Sequence, residues 1–363
     1  MQKNKKRSEI TRELLLEHCE KYPCLLPEDL FKYIFQSSFG CEHMVSDEVG
    51  ALEYIKKEYS EMKSPAADIV EALDGDYSRA SLSALDSGMS ARTLARLFVL
   101  SAKKEERGAE ELEEKIKVAK ALSDEGALPF DSCEFNRQIE SWRAAKYPPV
   151  RHSAQFRAEY KPSYRVISNR FADFFGVFSE IDRLLAEKDR VVIAIEGGSA
   201  SGKTTLAAAL REVYSSAVIH MDDFFLRPEQ RTSLRLREVG GNIDRERFLE
   251  EIITPLSENK VLRYRRFDCS KQALGEEITV DPSRLTVVEG VYSMHPSFGN
   301  YYDCSLFLDI DAEYQRRRIM KRNSPELAKR FFEEWIPLEN AYFDFMRIKE
   351  RCFKSLLISD EDI

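Results

Sequence analysis

Eight consecutive residues constrain this 363-residue chain more than any other segment: Gly197-Gly-Ser-Ala-Ser-Gly202-Lys203-Thr204. A GxxxxGK[ST] pattern needs a strand before it and a helix after it. Both are legible here. Val191–Ile195 is a short β-branched run, and Thr204–Val213 reads as a helix. The glycines let the backbone curl so that successive N–H groups point at phosphate oxygens. The helix N-terminus adds partial positive charge. Gly197, Gly198, Ser199, Ala200, Ser201, Gly202, Lys203, Thr204 and Thr205 are therefore the expected nucleotide-binding residues. Lys203 is expected to reach the β- and γ-phosphates, and the Thr204 hydroxyl to ligate Mg²⁺. A chance Gly/Ser turn is the ordinary alternative, and the strand and helix on either side argue against it.

The segments around this loop alternate in the βα manner. Ala217–Met221, Leu285–Val288, Ser305–Leu308 and Ser355–Ile358 read as further strands. Asp244–Leu256, Tyr314–Asn323 and Glu326–Phe353 read as helices between and after them. This predicts an α/β P-loop NTPase fold, a parallel sheet with helices on both faces. Residues 1–145 carry helical periodicity instead and predict a mostly α-helical N-terminal domain of unknown role. Residues 146–168 hold three prolines and no helical period, which predicts a linker or docking arm. The P-loop domain is expected over 169–363.

Charge narrows the partners. The net charge of −8 divides into −6 over residues 1–150 and −2 over 151–363. Neither half is a polybasic module, so no nucleic-acid partner is expected. No apolar run approaches the ~20 residues of a membrane helix, so no membrane partner is expected either. The basic N-terminus, Met1-Gln-Lys-Asn-Lys-Lys-Arg7, has no apolar stretch after it. The seven cysteines are scattered without CxxC spacing. Together these predict a cytoplasmic protein with reduced thiols. Self-association into a homo-oligomer stays open.

Three further features point at the chemistry. The second strand ends in His220-Met-Asp222-Asp223-Phe224-Phe225. A carboxylate at such a strand end can accept a proton from a hydroxyl attacking the γ-phosphate. The strand Thr286-Val-Val-Glu289 ends in a second acid, placed to orient Mg²⁺ or its waters. The helix after Asp309-Ile-Asp311 carries Arg316-Arg317-Arg318 and Lys321-Arg322, with Arg318 and Arg322 on one face. Such cations can close over a transferring phosphoryl group. A turn-capping Asp and a solvated basic helix are the ordinary alternatives.

These motifs, with Asn242-Ile243-Asp244, Arg266-Phe267-Asp268 and Glu334–Phe345, resemble the phosphoribulokinase/uridine kinase family of P-loop kinases over about 190–358. The resemblance implies ATP- and Mg²⁺-dependent phosphorylation of a hydroxyl on a small-molecule acceptor, a nucleoside or similar sugar-containing compound. It implies Asp222 as the base, with Lys203, Arg318 and Arg322 catalytic. It implies Asp244 on the sugar hydroxyls, Phe225 and Phe267 as walls of the acceptor site, and Thr204 with Glu289 at the metal. Two positions depart from the pattern. Cys269-Ser-Lys-Gln272 lacks the pyrimidine-reading His of uridine and cytidine kinases, and Gln315 stands where their lid begins with Arg. Asp222 and Asp223 both remain candidates for the base. A different class of function, a nucleotide-dependent switch in which ATP hydrolysis regulates the helical domain, is the alternative. A bifunctional enzyme with its own site in residues 1–150 is a third.

Two stretches in the first 168 residues stand out without a motif. One is Phe35-Gln-Ser-Ser-Phe-Gly-Cys41-Glu42-His43-Met44, read most simply as a structural glycine turn. The other is Arg151-His-Ser followed by Tyr160-Lys-Pro-Ser-Tyr164-Arg165, rich in groups that bind phosphate or aromatic rings. It reads equally as a docking strap.

Overall fold

The computed structural model describes residues 2–41, 47–62, 68–102 and 108–358. Glu42, His43 and Met44 lie outside the described residues. The chain forms two compact units that divide between Asp182 and Arg183.

The first unit holds helices α1 (Gln2–Lys21), α2 (Pro27–Phe39) and α3 (Glu48–Glu61), then strands β1 (Val70–Ala72) and β2 (Tyr77–Ser81). Helices α4 (Ala91–Ser101), α5 (Gly108–Asp124), α6 (Ser132–Ala144) and α7 (Ala154–Tyr160) follow, then strand β3 (Tyr164–Ser168) and the short α8 (Asn169–Ala172). Pro27 opens α2, where its missing N–H costs nothing. Asp47 caps α3 by accepting the Gly50 N–H at 2.7 Å. The core joins Phe31, Ile34 and Phe35 of α2 to Leu112 and Ile116 of α5 and to Trp142 of α6.

This unit is not wholly helical. Strands β1, β2 and β3 form an antiparallel sheet in that order, with Tyr77 opposite Ser168 and Ser81 opposite Tyr164. The stretch 146–168, expected to be a linker or arm, thus supplies a helix and a strand of the first unit. Its prolines sit outside both elements, and Tyr-Arg-Val-Ile-Ser is good strand sequence. The unit also extends past the expected boundary at 169. Asn169 hydrogen-bonds back to Asp76, and the Asp182 carboxylate accepts from Ser90 N (2.7 Å) and Thr93 Oγ1 (2.9 Å) at the start of α4.

Helix α9 (Phe175–Glu187) leads to the second unit. Strand β4 (Val191–Gly197), α10 (Lys203–Tyr214) and β5 (Ala217–His220) come first, then the short helices α11 (Ser233–Arg237), α12 (Arg245–Phe248) and α13 (Thr254–Ser257). The hairpin β6 (Leu262–Asp268) and β7 (Ala273–Val280) follows, then β8 (Leu285–Glu289) and β9 (Cys304–Ile310). Helices α14 (Ala312–Arg322), α15 (Pro325–Arg330), α16 (Ile336–Phe345) and α17 (Ile348–Arg351) precede the last strand, β10 (Lys354–Ile358). The sheet runs β10-β9-β4-β8-β5 and is parallel throughout. Strands β4 and β8 are buried along nearly their whole length, as a two-sided parallel sheet requires. This is the P-loop NTPase fold expected from the sequence.

The antiparallel hairpin β6–β7 lies outside that expectation of alternating parallel strands and helices, although β6 sets buried Leu262, Tyr264 and Phe267 among exposed arginines. The helix expected over Glu326–Phe353 is interrupted by a π turn at Phe331–Trp335 and by the left-handed Arg347. No helix among the described residues is long and apolar enough to cross a membrane.

Candidate active site

Strand order places the phosphate loop after the central strand, with β8 beside it and β5 next. Ligands of open α/β sheets bind outside the C-terminal strand ends, and three strand ends meet there: Gly197, Glu289 and His220. Only glycine fits at 197. Its φ is +139°, and a Cβ would sit 2.3 Å from the Leu308 carbonyl oxygen of β9. Ala200 holds φ of +63°, a left-handed conformation that turns the loop toward α10.

The side chains expected at the phosphates and the metal lie near one another. Lys203 Nζ donates to the carbonyls of Gly197 (2.8 Å) and Gly198 (2.9 Å). Thr204 Oγ1 donates to Glu289 Oε1 at 3.0 Å, joining the two expected metal residues. These are hard oxygen donors. Mg²⁺ takes one or two protein oxygens and completes its shell with water and phosphate, so the pair fits that ion. Among the described residues no cluster of three His, Cys, Asp or Glu side chains forms a metal cage. Glu289 also binds His220 Nδ1 at 2.6 Å, and this contact raises the His220 pKa.

The two adjacent aspartates are in different situations. Asp223 is buried, accepts Arg266 Nε at 2.8 Å, and lies 3.4 Å from the Tyr264 hydroxyl. It ties the β6–β7 hairpin to the end of β5. Asp222 is open to the cleft, yet its surroundings strip away enough water to raise its carboxyl pKa. Nearby Lys203 opposes the rise, while Glu289 and Asp223 add to it.

The acceptor-side residues are built by a short backbone pairing. Asp244 N donates to Phe224 O at 2.7 Å, Leu226 N donates to Asn242 O, and Phe225 bridges Ile243. Phe225 and Asp244 are therefore neighbours. Asp244 caps α12 with Oδ1. Its buried Oδ2 has no hydrogen-bond partner among the described residues, and Arg227 Nε is 3.9 Å away. An acceptor atom so placed suits an incoming hydroxyl. Phe267 is buried beneath the Arg231 guanidinium, which lies 5.7 Å from its ring centre.

The basic helix is placed differently. Arg318 lies against the Tyr314 ring of its own helix, and Arg322 is exposed. Among the described residues, no hydrogen bond joins either to the phosphate loop. The α14 side chain that does reach the loop is Gln315, whose Nε2 donates to Ser199 O at 2.8 Å. Glu339 of α16 holds the same residue from the other side, accepting from Ser199 N (2.8 Å) and Ser199 Oγ (2.5 Å). One turn on, Tyr342 donates to Glu196 Oε1 at 2.8 Å, next to the loop's first glycine. Sequence reasoning gave no role to Gln315, Glu339, Glu196 or His220. Glu196 and His220 had a signal in their adjacency to the loop and to the Asp222 strand end, Gln315 in standing where the family lid begins with Arg, and Glu339 in lying within Glu334–Phe345.

No family model matches the chain. A uridine kinase of Chlamydia pneumoniae is 27% identical over 146 residues, covering 38% of this chain and 65% of that protein. One from Alkaliphilus metalliredigens is 27% identical over 149 residues, covering 38% and 71%. About 38% of the chain is distantly homologous to uridine kinases. Among solved structures, a possible uridine kinase from Bacillus stearothermophilus aligns with 50% of this chain and 99% of its own, at 20% identity and a TM-score of 0.38. The uridine-kinase-like reading therefore rests on the sequence relatives and the site motifs.

Beside the loop, Glu196 sets a pH dependence. It is fully buried, and burial pushes its pKa up to about 7 despite hydrogen bonds from Met294 N and Tyr342. Between its unfolded value and about 7, the folded state holds a proton that the unfolded chain has lost. The stability this contributes is present at pH 5 and is lost as pH rises through about 7. The expected size is on the order of 2–3 kcal/mol between pH 5 and 8. Thermal melts of the intact chain across that range test this. Glu196→Gln should flatten the slope, and an unchanged slope would contradict the assignment.

Proposed function

We propose that the second unit is an ATP-dependent kinase that phosphorylates a hydroxyl of a small metabolite, a nucleoside or a similar sugar-containing compound. The observation that carries this reading is the convergence of Lys203, Thr204–Glu289 and an open Asp222 at three neighbouring strand ends. A phosphate loop alone serves switches and motors equally. A free carboxylate beside an acceptor recess is what a transferase needs.

In this reading the N–H groups of Gly198–Thr205 cradle the phosphates, and Lys203 leaves the Gly197 and Gly198 carbonyls to meet their charge. Thr204, with Glu289 behind it, would hold Mg²⁺, which would supply positive charge for the phosphate oxygens. Asp244 and Phe225 hold the acceptor, Phe267 walls it, and Asp222 takes the proton of the attacking hydroxyl. A base with a raised pKa suits that task near neutral pH. Arg318 and Arg322 would serve as lid cations after α14 moves toward the loop. Gln315 and Glu339 would have to yield or reorient around Ser199 as that occurs.

The test is direct. The full chain is incubated with ATP, Mg²⁺ and a panel of nucleosides, sugars and related alcohols, and products are read by mass spectrometry. A phosphorylated product that requires Asp222 supports the kinase. ATP hydrolysis that rises only with a protein partner and yields no phosphorylated product refutes it in favour of a switch.

A further inference from the structure

The end of the second unit's sheet away from the phosphate loop borders a cavity of about 500 Å³. Strand register sets its floor. Val192 of β4 lies opposite Thr286 of β8, and Thr286 lies opposite Ala217 of β5. Side chains alternate along a strand, so residues two steps on share the same face. Two steps toward the loop, Ala194, Val288 and Ile219 belong to the buried core, together with Phe248, Ile252 and Leu262. At the first row the side chains are shorter and the cover changes. The helix there breaks into a π turn at Leu249–Ile253, and α13 follows with Pro255 in its first turn. Ile253, Leu256 and Leu262 wall the cavity without filling it. π turns of this kind occur often at functional sites.

Thr286 is the residue that packing does not explain. It is 4% exposed and lines the cavity. Strand β8 is hydrogen-bonded on both sides, to β4 and to β5, so the backbone around Thr286 is already paired. Among the described residues its hydroxyl has no hydrogen-bond partner. Valine has nearly the same shape and would pack here without the cost of burying a hydroxyl. A hydroxyl kept at this place suits a partner that enters the cavity.

The mouth adds two amides. Asn259, in a left-handed turn (φ +57°) after α13, and Asn300 both border the cavity. Neither side chain is hydrogen-bonded among the described residues. The charges at the mouth are of both signs. Arg190 and Lys260 stand against Asp189 and Asp281, and Lys260 is already paired with Glu258. The buried part of the lining, Val191, Leu262 and Thr286, carries no charge.

A ligand for this space is therefore neutral, apolar over its faces, and able to donate and accept at its edge. Asparagine amides pair with such donor–acceptor edges of heterocycles. The volume falls within the ~300–1,000 Å³ of small-molecule sites. We propose that the cavity is a ligand site separate from the phosphate loop, and that it takes a neutral heterocycle with the hydrogen-bonding edge of a nucleobase. Thr286 meets the inner edge of the ring, and Asn259 and Asn300 meet the outer edge. Val192, Ile253 and Leu256 cover its faces. This site is independent of the kinase reading.

The experiment titrates adenine and uracil, each alone, against the full chain by ligand-observed NMR. At least one base should bind. Thr286→Val should weaken that binding about fivefold to tenfold, the loss of one hydrogen bond, and leave the melting temperature unchanged or higher. Ala217→Leu fills the floor and should abolish binding. Thr286→Val keeps the parent's shape, so it decides the matter even where Ala217→Leu fails to fold. Failure of both bases to bind overturns the proposal. So does binding to Thr286→Val equal to the parent's, which places the base elsewhere, the acceptor recess included.

Discussion

Asp222→Asn abolishes phosphoryl transfer and leaves ATP binding close to that of the parent; this is the expected result of removing the base while keeping its shape. The loss should be on the order of 10²–10⁴-fold in kcat. Asp222 is the acidic side chain at the end of β5 that faces the open cleft, while its neighbour Asp223 is held by Arg266 and Tyr264. Asp223→Asn should instead loosen the β6–β7 hairpin, visible as a lower melting temperature. The rate of the parent should rise with pH as the Asp222 carboxyl, raised by desolvation, gives up its proton. That limb should vanish in Asp222→Asn. Steady-state rates and nucleotide titrations on the same preparation decide the matter. Equal loss of turnover and ATP affinity would remove Asp222 as the base.

Lys203→Ala should be nearly as severe, but in both measurements. Lys203 is parked on the Gly197 and Gly198 carbonyls, from which a small rotation carries the ammonium over the phosphates. Removing one aligned charge from a developing phosphoryl anion costs about 10²–10³-fold in rate. The ground-state phosphates lose the same charge, so ATP affinity should fall as well. This separates the two variants. One is silent in binding and dead in turnover, and the other is impaired in both. Normal turnover by Lys203→Ala would refute the loop assignment.

The second unit was readable in the sequence because its rules are local. Glycine is required at 197 by the Leu308 carbonyl 2.3 Å from any Cβ. Lys203 and Thr204 must open a helix, and β-branched runs must form a two-sided parallel sheet. Each of these leaves a short, fixed pattern. Gln315 and Glu339 stand in recognisable segments, yet nothing local marks their bonds to Ser199, which lies more than 100 positions away. The lid arginines show the converse. Their pattern is strong, yet among the described residues Arg318 and Arg322 make no hydrogen bond to the loop, where α14 presents Gln315 instead.

The first unit hid more. The prolines of 146–168 suggest a linker when read alone, but Tyr164–Ser168 finds its register only against β2. The phosphate loop, the strand-end acids and the parallel sheet were legible from residue type and spacing, because backbone conformation and burial on both faces demand particular residues at particular intervals. Which aspartate is exposed and which side chains hold the loop emerge from the folded chain alone. Those depend on groups distant in the chain competing for the same partners, and sequence spacing carries no record of that competition.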